Sequence, residues 1–154
     1  MKKIIKIIAF VCLIAILLLS IINVFSFTYS DGIRQIDAFY NQTDNTVDVL
    51  VLGSSHSFLN IYTEILWREY GIASFNLSAS MQPIWSSYYY LVEALKTQTP
   101  RVIVLEGYRL TETDDYLSKG TTIKNLYGMK FSKNKLEALK TSVPEDKKWQ
   151  SSWG

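Results

Sequence analysis

Val47-Asp48-Val49-Leu50-Val51-Leu52-Gly53-Ser54-Ser55-His56-Ser57 decides how the rest of the chain reads. An apolar run rich in β-branched residues, broken only by Asp48, predicts a buried strand. Gly53 and the serines after it predict a tight turn, and a helical pattern begins at Phe58. Hydroxyls and backbone N–H groups are thereby gathered at the carboxyl end of a strand, where open α/β sheets bind their ligands. Ser55, just past the strand and at the start of a helix, is the candidate nucleophile.

Working outward, Phe58, Ile61, Tyr62, Ile65 and Leu66 recur at helical spacing and predict one amphipathic helix closed by Tyr70-Gly71. Ile72-Ala-Ser-Phe-Asn76 predicts a short second strand, and a turn runs from Asn76 to Pro83. Pro83 suits a first helical position, with Ile84, Tyr88, Leu91, Val92 and Leu95 as the apolar face and Thr99-Pro100 as the stop. Arg101-Val-Ile-Val-Leu-Glu106 predicts a third strand, its unbroken apolar run suited to a parallel strand covered on both faces. Strand, helix, strand, helix, strand with short connections predicts the start of a doubly wound, flavodoxin-like α/β sheet. Its carboxyl rim would gather Ser55, the Asn76–Met81 turn and Glu106. Beyond Gly107 the pattern is less regular, apart from a short helix capped by Ser132, carrying Leu136 and Leu139 and ended by Pro144. Three strands are few for an independently stable domain, so the sheet is expected to be incomplete in this chain.

The amino terminus has a different character. Residues 7–27 carry no charge and follow Lys2, Lys3 and Lys6. As a helix they span roughly 31 Å, which matches a bilayer core. A cleaved signal peptide would have a shorter apolar core and a small-residue cleavage site, so an uncleaved anchor is expected. The lysines before it predict a cytoplasmic amino terminus and an extracytoplasmic remainder. The organisation predicted is a lead and anchor over 1–27, a juxtamembrane connector over 28–46 and a partial α/β domain over 47–154.

Composition removes several classes of function. Without Lys2, Lys3 and Lys6, the 16 Lys and Arg fall to 13 against 14 acids, a near-neutral balance that offers nucleic acid no footprint. One cysteine and one histidine give no disulfide and no metal-ligand cluster, and no cofactor motif is present.

Asp48-Val-Leu-Val-Leu-Gly-Ser-Ser-His-Ser57 resembles the first block of the SGNH/GDSL hydrolase superfamily, in its membrane-anchored branch with Gly-Ser-Ser for Gly-Asp-Ser. The resemblance implies that Ser55 is the nucleophile. The turn after Phe75 is similar to the second block, which implies an oxyanion site around Asn76, Ser80 and Met81. Glu106 stands near the third block's place, either beside that site or orienting the Ser55 turn by accepting its N–H groups. The implied activity is that of a membrane-anchored serine esterase or O-acyltransferase. Its substrates would be a small ester or the O-acyl groups of an acylated carbohydrate such as a cell-envelope polysaccharide. The superfamily's Asp-x-x-His segment has no counterpart here, and His56, as the immediate neighbour of Ser55, points elsewhere on a regular element. The alternatives are a non-catalytic anion- or glycan-binding module on the Ser54/Ser55/Ser57 loop, or an inactive fragment.

Overall fold

The computed structural model describes residues 2–25, 31–111 and 118–143. Its first element, α1 (Lys2–Phe25), contains a stretch long and apolar enough to cross a membrane, Lys3–Val24, none of it buried against the rest of the chain. The anchor's predicted last residues, Pro144 and the tail after it lie outside the described residues.

The α/β part is built on β1 (Val49–Leu52), flanked in parallel by β2 (Ser74–Asn76) and β3 (Val102–Leu105) in the order β2-β1-β3. Val51 pairs with Asn76 on one side and Val104 on the other, so the three carboxyl ends finish level. Leu50 and Leu52, alternate residues of β1, share one face and are at most 1% exposed. Each stabilises the fold by roughly 2 kcal/mol through that burial. They pack with Tyr90 and Ala94 of α5 (Ile84–Ala94) and with Ile36 and Phe39 of α2 (Asp31–Tyr40). Right-handed crossovers that move in opposite directions from β1 put α5 on this face, and α3 (Ser55–Asn60) and α4 (Thr63–Tyr70) on the other.

Four expectations need correction. The single helix after β1 is two, α3 and α4, broken at Ile61-Tyr62; α4 buries no residue, although Gly71 closes it in the left-handed conformation as the sequence indicates. Pro83 caps α5 from outside, and that helix ends at Ala94, before Thr99-Pro100. Its inward face is Ser86, Ser87, Tyr90, Glu93 and Ala94, because the Tyr90 hydroxyl donates to the Asn125 carbonyl and Glu93 forms a polar hub. The Ile84, Tyr88 and Leu91 stripe instead walls an apolar cavity of about 250 Å3 with Ile103 and Leu105. Finally, β3 is not covered on both faces, since each of its four residues is exposed.

Two helices complete the packing, α6 (Lys119–Tyr127) and α7 (Lys133–Thr141), the latter capped by Ser132. The segment expected as a connector contributes α2, whose Ile33, Ile36 and Phe39 are core residues packed against α6. Glu93 ties three helices, accepting from Tyr40 of α2, Lys96 beyond α5 and Asn134 of α7. Burial pushes its carboxyl up, but Lys96 and Asn134 outweigh that and hold it below the usual range.

Candidate functional site

Gly53 brings β1 into the turn because nothing larger fits. A Cβ there would lie 2.5 Å from Glu106 Cβ and 2.6 Å from Ser57 Oγ. This close approach lets the residues after β1 and β3 meet. The Ser54 hydroxyl caps α3 by accepting from the His56 N–H and donates to Glu106 Oε2 at 2.6 Å. The Ser54 N–H donates to the same carboxylate oxygen at 3.1 Å, and the Tyr108 N–H donates to Oε1. Burial raises the Glu106 carboxyl, yet these donors and the neighbouring His56 outweigh it, leaving the group below its ordinary value.

His56 Nδ1 lies 3.2 Å from Ser54 Oγ. Because that hydroxyl's proton is directed to Glu106, Nδ1 must supply the hydrogen, which leaves Nε2 as the acceptor of the neutral ring. The ring rests on Tyr108, centroids 4.4 Å apart. Glu106, Ser54 and His56 thus form a chain in which a carboxylate orients an imidazole through a serine. Sequence reasoning missed this chain. Its signal was the Ser-x-His spacing, which lets a capping hydroxyl meet the second residue's ring.

The serines of the turn differ in what they can do. Ser54 and Ser57 are each 2% exposed, and Ser57 Oγ lies 2.8 Å from Ser78 Oγ and 3.1 Å from the Ser54 carbonyl. Ser55 is half-buried, at the first position of α3, and no described side chain hydrogen-bonds its hydroxyl. It is the hydroxyl of this turn left open to a substrate. His56 is turned toward Ser54, so no described base activates it.

The residues expected around an oxyanion lie on the same rim with their donors already engaged. Asn76 Nδ2 donates to the Ser57 and Ile61 carbonyls at 2.9 and 3.1 Å, which accounts for both of its hydrogens. The Ser80 N–H donates to Asp31 Oδ2 at 2.6 Å, while Lys124 Nζ pairs with Asp31 Oδ1 at 2.5 Å and donates to the Ser80 carbonyl. Burial pushes the Asp31 carboxyl up, and the Lys124 and Ser80 donors bring it below its usual value. Met81 is exposed, in the left-handed conformation at φ 55°. A side chain there costs roughly 1–2 kcal/mol where glycine would cost almost nothing.

The rim can therefore present a serine hydroxyl and a carboxylate-oriented imidazole about one turn apart, on a scaffold fixed by buried serines. Among the described residues no group of three or more His, Cys, Asp or Glu side chains is placed to hold a metal ion. No family model matches the chain, and no curated protein or solved structure matches it either.

Proposed function

We propose that the chain is a membrane-anchored serine esterase or O-acyltransferase of the SGNH type, with Ser55 as its nucleophile. One observation carries the reading: of the serines at the carboxyl end of the central strand, Ser55 alone holds a half-exposed hydroxyl without a side-chain partner, while Ser54 and Ser57 are buried and bonded. Esters suit such a site because attack on an acyl carbon requires an accessible oxygen nucleophile in a fixed position. A fluorophosphonate probe is expected to label the full chain, and Ser55→Ala to abolish the labelling. Labelling that persists in the variant refutes the assignment.

The anchor is α1, with Lys2, Lys3 and Lys6 supporting a cytoplasmic amino terminus. With Cys12 replaced by alanine, an Asn41→Cys variant should react with an impermeant thiol reagent on intact cells. Protection of that position reverses the orientation.

A second reading is a non-catalytic ester- or glycan-binding module. It is favoured by the engagement of the Ser80 N–H and the Asn76 amide, which leaves an oxyanion without those donors. A folded chain that takes no fluorophosphonate supports this second reading.

A further inference from the structure

The rim that carries Ser55 is also the place where the chain enters the domain. Asp31, the first residue of α2, accepts from the Ser80 N–H and pairs with Lys124, which pins the amino end of α2 to the β2–α5 turn. From there α2 runs opposite to the strands. The chain after it meets the other pole, where the Asn45 N–H donates to the Thr97 carbonyl and the Thr46 and Val47 N–H groups donate to Gln98.

The tether fixes which pole lies near the bilayer. Five residues, 26–30, separate α1 from Asp31. Six Cα-to-Cα steps of at most about 3.6 Å give a reach of roughly 22 Å. A domain the size of residues 31–143 has a radius of gyration near 13 Å, hence a diameter of roughly 34 Å. The tether is shorter than the domain, so Asp31 and the Ser55 rim cannot form the pole remote from the membrane. Around that rim Met81, Tyr108 and Leu110 are each more than half exposed, whereas residues 41–46 at the other pole are polar throughout.

We propose that the Ser55 rim faces the lipid surface in which α1 is anchored, with Met81, Tyr108 and Leu110 entering the interface. The ester that Ser55 takes is then membrane-borne, an acylated amphiphile or lipid-linked molecule. This rests on the anchor and nucleophile readings above and holds for either orientation of the chain.

The test uses the full chain in phosphatidylcholine vesicles, Cys12 replaced by alanine and a single environment-sensitive fluorophore on a new cysteine. Nitroxide lipids labelled near the headgroup should reduce fluorescence at Met81→Cys and Leu110→Cys and leave Asp44→Cys and Thr97→Cys unchanged. Equal quenching at both poles, or quenching of the far pole alone, overturns the proposal. Leu17→Cys, read with nitroxides deep in the acyl chains, reports the anchor separately. If it is not quenched, the anchor reading fails and this inference fails with it. A lipid-tailed fluorophosphonate in the same vesicles should label Ser55 faster than a water-soluble one. Faster labelling by the soluble probe overturns the substrate class, and labelling by neither refutes the nucleophile while the quenching result still decides which pole faces the lipid.

Discussion

Glu106 accepts three hydrogen bonds, from the hydroxyl and N–H of Ser54 and the N–H of Tyr108, and so joins the end of β3 to the turn after β1. Glu106→Gln keeps the shape but sets an amide donor against one of these donors. We expect a loss of roughly 1–2 kcal/mol, measured by chemical denaturation of the full chain in detergent. The pH dependence has a definite sign. The native carboxyl titrates below its ordinary value of 4.5, so the unfolded chain takes up the proton first. Its contribution is complete above 4.5 and disappears as pH falls through the lowered native value. The stability difference between wild type and Glu106→Gln should therefore shrink on acidification below that point, and a constant difference counts against the charged network. Ser55 and Glu106 were legible as residues of one rim because parallel strands end together. The link through Ser54 to His56 was not, because it depends on side-chain rotamers that neither spacing nor composition records.

At the scale of elements, the break between α3 and α4 shows what periodicity leaves out. Phe58, Ile61, Tyr62, Ile65 and Leu66 keep helical spacing straight through it, and no proline or glycine marks it. The cause is Asn76, whose amide holds the Ser57 and Ile61 carbonyls from the end of β2. A residue 15 or more positions away fixes where α3 stops, which no local pattern reports. Asn76→Ala should cost about 1–3 kcal/mol by leaving those carbonyls and the α3–α4 corner unsupported. Asn76→Asp should cost at least as much, since a carboxylate has no hydrogen to donate. An unchanged denaturation midpoint in both variants removes Asn76 from this role. The α5 stripe teaches the same lesson from the other side. Apolar spacing marked Ile84, Tyr88 and Leu91 as core, whereas polar partners turned Ser86, Ser87 and Glu93 inward.

Across the whole molecule, the strand sequence, the parallel pairing and the placement of the rim could be read from the chain, because apolar runs and short connections permit few topologies. Which surfaces the helices cover could not. Composition states how much burial a segment requires, and only the tertiary arrangement decides whether it receives it. The run 102–105 reads as a central strand and stands at an edge, paired with β1 alone among the described residues.

That one-sided pairing should be visible as an alternation in hydrogen–deuterium exchange. The N–H groups of Val102 and Glu106 donate to the Asp48 and Leu52 carbonyls of the β1 segment. The two-residue repeat of a strand turns Val104 the same way and sends the N–H groups of Ile103 and Leu105 to the open side. The amides of Val102, Val104 and Glu106 should exchange slowly, and those of Ile103 and Leu105 near the unprotected rate. Uniform protection across the five would mean that a strand from elsewhere has closed the ladder, so a single labelling experiment reads whether this sheet ends at β3.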